Sequence, residues 1–290
     1  MLEDNPSLPK DSLVGSRTGL DPFTIAAMVA ARREGGWGRS LRDMANIARR
    51  NMLIDFRNPA EVLVATAFPI SLLFVFTASF AQVVAPGENY GSYAQFLLPF
   101  TVVQGFLFNT VNVGVAFYND LDGGMDVRLR AMPIARLSAV GGRLISSAVR
   151  LLFQVVSIAL AGHLIGFRLQ GGPIASLGFL LLPVVFTLSI SLIALYVAVG
   201  AKSSETISAV LNPWILPLTF LSVGYVPLTG FPDWARGFVR YNPISTVAEA
   251  MRALASGEPA LGQVAGVLLW SLALATVFGP LTLNAYKRRL

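Results

Sequence analysis

Outside the N-terminal tail, three acidic side chains fall close together in one place. Asp120, Asp122 and Asp126 stand in the run Tyr118–Arg136, followed by Arg128, Arg130 and Arg136 and folded about the pair Gly123-Gly124. Two chemistries fit such a run. Clustered carboxylates at a membrane face could serve as acid and base for a lipid-modifying enzyme. A short charged helix starting at Met125 would instead suit contact with a soluble partner. Asp126 would lie near its positive dipole end, Arg128 and Arg130 further on, and Pro133 would stop it.

Other chemistries are missing from the sequence. It has no cysteine and a single histidine, His163, so no Cys-based or multi-His metal site can form, and metal ligands are not expected. No G-x-x-x-x-G-K-[ST] loop, H-E-x-x-H or G-x-S-x-G pattern is present, so the chain cannot bind and hydrolyse ATP in the usual way. Polar side chains within the apolar blocks are mainly amides and hydroxyls. Asn109 and Asn112 share a helix face with Gly105 and Ala116, and Gln104 is near. In lipid such amides must face protein or a cavity, so they either hydrogen-bond between helices or line a substrate path.

These residues need elements to hold them, and composition says which. The chain is 54% hydrophobic and 13% charged, against about 25% charged in an ordinary soluble domain, and its mean hydropathy is +0.63. Six blocks approach the roughly 20 apolar residues that a spanning helix needs: Val62–Val84, Ala94–Phe117, Leu151–Gly166, Ile174–Gly200, Ile207–Leu228 and Leu261–Tyr286. None contains Asp, Glu, Lys or Arg, which disfavours a proton- or sodium-coupled pump and leaves the energy for any transport to another polypeptide. The third block is short, and its helix is expected to begin near Ser138, with Arg143 and Arg150 snorkelling to the cytoplasmic headgroups. Pro183, Pro213 and Pro217 predict kinks.

The net charge of +6 gathers at block edges, as orientation signals do, and does not point to nucleic acid. Lys and Arg crowd the segment before Val62, the Tyr118–Arg136 connection and the C-terminal Lys287-Arg288-Arg289, whereas the opposite side carries Arg168, Arg236, Arg240 and Arg252. The positive-inside rule then predicts both ends in the cytoplasm. The expected division is a cytoplasmic, partly disordered tail over 1–38, an amphipathic helix over 39–58 and a six-helix membrane domain over 59–290. In the helix, Leu41, Ala45, Ala48, Met52 and Phe56 form a stripe, with Arg42, Arg49, Arg50 and Arg57 largely off it near anionic lipid. It would be an anchor or a docking platform. On the outer side, Phe231, Trp234 and Phe238 precede Asn242 and Pro243, the N-cap and first residue of a further helix. That helix has an apolar stripe, Ile244, Val247, Ala248, Met251 and Ala255, and a polar one, Ser245, Glu249, Arg252 and Ser256. It is expected to lie in the outer interface or to re-enter between spans.

From Arg39 onward the sequence resembles the permease subunits of ABC-2 type exporters, above all the daunorubicin/doxorubicin-resistance permeases of actinobacteria. The resemblance is carried by Asp126-Val-Arg-Leu-Arg-Ala-Met-Pro-Ile-Ala-Arg136 with Gly142-Arg143, by Gly166-Phe-Arg168, and by Val226-Pro-Leu through Phe231-Pro-Asp-Trp234, Asn242-Pro-Ile-Ser245 and Met251-Arg-Ala-Leu254. It implies an all-α fold of six spans, an interface helix over Arg39–Phe56 and re-entrant helices over Phe231–Leu254. It further implies an ATPase-coupling segment over Asp120–Met132, with Gly124 at its turn. Two permeases, identical or paralogous, would pair with two P-loop ATPase subunits that carry the ATP and Mg²⁺, leaving this chain without a cofactor. The implied place is the bacterial cell membrane. The implied cargo is a large amphipath, either a hydrophobic drug or a complex envelope lipid. A membrane enzyme built on the three acids and a non-transporting assembly subunit are the competing readings.

Overall fold

The computed structural model describes residues 37–57, 59–84, 87, 89–124 and 137–289. Most of the tail and the connection from Met125 to Arg136 lie outside them. The described residues form nine α-helices, one 3-10 turn and no strand. In order these are α1 (Trp37–Arg57), α2 (Pro59–Val84), α3 (Tyr90–Asp122), α4 (Leu137–Leu164), α5 (Gly172–Gly200), α6 (Ser204–Phe220), the turn Leu228–Gly230, α7 (Asp233–Tyr241), α8 (Pro243–Ser256) and α9 (Leu261–Arg289).

Five of them, α2, α3, α4, α5 and α9, are long and apolar enough to cross a membrane. Their places differ. The apolar stretch of α3 is 83% buried, while those of α2 and α9 are 17% and 11% buried. α3 is therefore the axis of the bundle, packed on α2, α4, α5, α6 and α8, and α2 and α9 are its outer staves. The third expected span starts where its pattern placed it, running unbroken from Leu137 past Arg143 and Arg150.

The fifth block departs from expectation. Instead of a span to Leu228, α6 has 17 residues and ends at Phe220, about 26 Å at 1.5 Å per residue against roughly 30 Å of hydrocarbon. Its start is well made: the Ser203 hydroxyl accepts from the Thr206 N–H at 3.3 Å. Its own backbone N–H and the Ser203 and Ser204 hydroxyls hold the exposed Glu205 carboxyl below its usual range. Its end is weakened by Pro213 and Pro217, each lacking an N–H. Hydrophobicity continues beyond Phe220, but the backbone takes its partners from α8.

A second proline defect is repaired by a neighbouring helix. Pro69 in α2 cannot donate to the Ala65 carbonyl, and the Gln154 side chain of α4 does so instead at 2.9 Å. We expect Gln154→Leu to strand that carbonyl and lower stability by about 1–3 kcal/mol, read from thermal unfolding in detergent.

Candidate functional site: a charged latch and an aromatic cavity at opposite ends of the bundle

At the end of the bundle where α3 finishes and α4 begins, α1 lies along the first half of α4. The face it presents is Met44, Ile47, Ala48 and Asn51, with Ile47, Ala48 and Asn51 buried. This corrects the expected stripe: Leu41 is 60% exposed, Ala45 is also outside and Met52 is half-buried, so only Ala48 is buried among the stripe's described side chains, which do not include that of Phe56. The groove on α4 explains the rotation. A Cβ at Gly142 would lie 2.6 Å from Ile47 Cγ2 and 3.1 Å from the Met44 carbonyl, and one at Gly141 would lie 2.7 Å from Met44 Sδ. Paired glycines let the two helices approach closely. Gly142→Val should therefore lift α1 from α4 and cost about 1–3 kcal/mol, seen as faster proteolysis within α1.

Arg42, Arg49 and Arg57 are exposed along α1. Arg50 instead reaches the last turn of α3, its Nη2 3.4 Å from Asp120 Oδ1, while Arg143 Nη1 of α4 stands 3.7 Å from Asp120 Oδ2. Arg143 is 5% exposed, which corrects the snorkelling expected of it: α1 covers this part of α4 and turns the arginine to a carboxylate. Arg150 is half-buried, and its Nε lacks an acceptor among the described residues. The two described acids, Asp120 and Asp122, do not converge as members of a catalytic cluster would. Asp120 is enclosed between two arginines, Asp122 is exposed at the helix end, and Gly124 turns the chain with φ +74°. Asp126, Arg128, Arg130, Pro133 and Arg136 lie outside the described residues.

Midway along α3 the three amides part company. Gln104 Nε2 donates to the Tyr225 hydroxyl at 2.7 Å. Asn109 is 3% exposed, and neither amide atom has a partner among the described residues, so the interhelical bond expected of it is not made here. Asn112, one turn further in, is exposed although its neighbours Val111 and Val113 are buried.

At the opposite end, α8 is built as its sequence suggests. Asn242 caps it, its Oδ1 accepting from the Ile244 N–H at 2.9 Å, and Pro243 follows. The apolar stripe Ile244, Val247, Ala248, Met251 and Ala255 is at most 1% exposed and packs toward α3, α5 and α9. The polar stripe is not a solvated face. Glu249 is exposed, but Ser245 is buried and accepts from the Val223 N–H at 3.1 Å. Arg252 Nε donates to the Phe96 carbonyl at 2.8 Å, and its Nη2 donates to Val223 and Gly224 at 2.8 and 3.0 Å. Its guanidinium lies 3.7 Å from the Phe96 ring centroid, a cation–π contact. Asn242 Nδ2 donates to the Leu218 and Leu221 carbonyls at 2.7 Å each, closing the end of α6. The preceding α7 exposes Trp234, Phe238 and Tyr241 and buries Ala235 and Val239, while Phe231 is half-buried.

Pinned in this way, the segment 221–226 folds back into the bundle. Gly224 lies flat on Phe100, where a Cβ would come within 2.2 Å of the ring. Tyr225 then sits among Phe100, Phe76 and Phe220, with centroids 4.6, 5.0 and 6.0 Å away. Beside it opens a cavity of about 300 Å³ walled by Phe76, Phe80, Tyr93, Phe220, Tyr225 and Val226. Sequence reasoning missed Tyr225 and Arg143. Only the break of α6 brings Tyr225 inward, and only the covering helix identifies Arg143.

A bundle of membrane-length helices with an apolar cavity at one end and a charged latch at the other has the build of an integral membrane protein. Residues 44–255 match the ABC-2 type transporter family model, and the chain belongs to that family. It is 30% identical over 240 residues to a daunorubicin resistance ABC transporter permease protein of Streptomyces coeruleorubidus, covering 83% of this chain and 84% of the relative. It is 26% identical over 235 residues to a probable doxorubicin resistance ABC transporter permease protein of Mycobacterium tuberculosis, covering 80% and 83%. With a putative transport permease of Porphyra purpurea it shares 24% identity over 252 residues, covering 79% and 84%. In such transporters the ATPase resides on a separate subunit, and this chain is the transport component rather than an enzyme.

Proposed function

We propose that the chain is the permease of an ATP-driven exporter for a large amphipath, a hydrophobic drug or a complex lipid, working as a pair with two P-loop ATPase subunits that hold ATP and Mg²⁺. One observation carries this reading: the family match runs over residues 44–255, from α1 to α8, in a chain whose sequence has no P-loop. In this reading α6, 17 residues long, is a sixth crossing completed by the segment 221–226, with both ends in the cytoplasm. α7 and α8 form the external re-entrant pair. The connection Asp120–Met132 is the ATPase contact, and α1 is the interface helix beside it. Cargo passes along α3 by Gln104, Asn109 and Asn112 toward the aromatic cavity.

Reconstitution with a P-loop ATPase subunit of the same family tests this. Wild-type complex should hydrolyse ATP faster when an amphipathic cargo is present, and Asp122→Ala or Arg128→Ala should weaken that stimulation several-fold. An ATPase indifferent to this chain and to both substitutions would sink the reading.

A further inference from the structure

Among the described residues the outer cavity has no charged side chain in its walls, but a fixed cation stands close behind them. Arg252 rests on the Phe96 ring, which stacks on Tyr93 at 6.2 Å, and its Nη2 holds the carbonyl of Gly224, the residue before Tyr225. Tyr93 and Tyr225 both line the cavity, so one layer of side chain separates the guanidinium from it. Among the described residues no carboxylate pairs with Arg252, and Nη1 has no acceptor. Glu249, three residues earlier on α8, is exposed, where water screens part of its attraction for Arg252. Arg252 is itself half-buried, and on its ring side, away from water, its field is weakly screened over several ångströms.

That field bears on what can enter. Aromatic faces attract cations, but an organic cation here would shed its water with no carboxylate to receive it and with Arg252 opposing it. An anionic amphipath meets the opposite balance: its apolar part fits the rings and its acidic group gains from the arginine. A cavity of about 300 Å³ is at the small end of ligand pockets and takes a chain or ring system rather than a whole large amphipath. Building on the exporter reading, we infer that this cavity receives the apolar portion of an anionic amphipath as cargo, with Arg252 setting the sign of charge that is admitted.

The test uses the full chain with its ATPase in vesicles of uncharged phosphatidylcholine, with Phe80→Trp as a reporter read against wild-type background. The probes are brominated-acyl phosphatidylglycerol, which is anionic, and brominated-acyl ethylphosphatidylcholine, which is cationic. The anionic probe should quench the new tryptophan at roughly tenfold lower mole fraction, consistent with one unit charge acting at short range. Arg252→Lys should keep that preference and Arg252→Gln should erase it. Because the comparison of probes is complete with Arg252 intact, poor folding of either variant does not remove the test. Equal quenching, or a preference for the cationic probe, would overturn the inference, as would an anionic lipid that quenches but does not cross the bilayer on addition of ATP while another cargo does. Sign preference in a complex that exports nothing would count against the exporter reading instead.

Discussion

Replacing Asp120 with alanine should lower stability by about 3 kcal/mol and disconnect ATP hydrolysis from transport. The estimate rests on the buried leg of the latch. Arg143 is 5% exposed, and removing the carboxylate that faces it takes an opposite charge from a buried cation, where breaking a well-formed pair costs about 3–5 kcal/mol. We take the lower end because the separation is 3.7 Å. The second leg adds little to stability, since the Arg50 side chain is 50% exposed and solvent screens such pairs. Its value is geometric, because Asp120 touches cations from both α1 and α4. Asp120→Asn should keep the shape and lose the charge. The double change Asp120→Leu with Arg143→Met should recover most of the stability, as apolar replacements of buried pairs do, without recovering coupling. Thermal unfolding in detergent and cargo-stimulated ATP hydrolysis separate the two effects. Recovery of both would mean that the latch is structural only.

Arg252→Met should be the costliest single change at the outer end. It removes donors from the carbonyls of Phe96, Val223 and Gly224 together with a cation–π contact. Each buried acceptor left unmade costs about 1–3 kcal/mol, and these share one donor group, so we expect about 3–4 kcal/mol rather than their sum. Arg252→Lys should fall between, because an ammonium cannot reproduce the planar fork. The damage should be local. Amide exchange ought to rise in 221–226 and the end of α6 while α4 keeps its protection, and exchange mass spectrometry would show uniform change if Arg252 were only one support among many.

The parts of this fold that were legible in the sequence are those decided by one segment alone. Five of the six apolar blocks became membrane-length helices, and α4 began near Ser138, because continuous apolar runs need no partner to be recognised. The cap and apolar stripe of α8 were equally local. What escaped reading depended on a second segment. Hydropathy runs on past Phe220, yet the helix stops there, since Asn242, some twenty residues later, supplies the donors for its last carbonyls. The face of α1 was set by a glycine groove on α4 rather than by its own stripe. Arg143 looked like a snorkelling residue until the helix that covers it was in place. Among the candidate site residues, Asn109 and Asn112 shared a face on paper, but the bundle edge runs between them and separates their fates.

The capping of α6 by α8 also fixes an order in time. During synthesis α6 leaves the ribosome well before Asn242, Ser245 and Arg252 exist, so for that interval its outer end has open carbonyls and two prolines. A segment so short and so poorly finished inserts weakly by itself. In the six-span reading its commitment to the bilayer therefore waits for the arrival of α8, which makes about the last sixth of the chain responsible for the integrity of a helix already made. Truncation after Tyr241 should consequently release α6 from the membrane, although no residue of that helix has been altered.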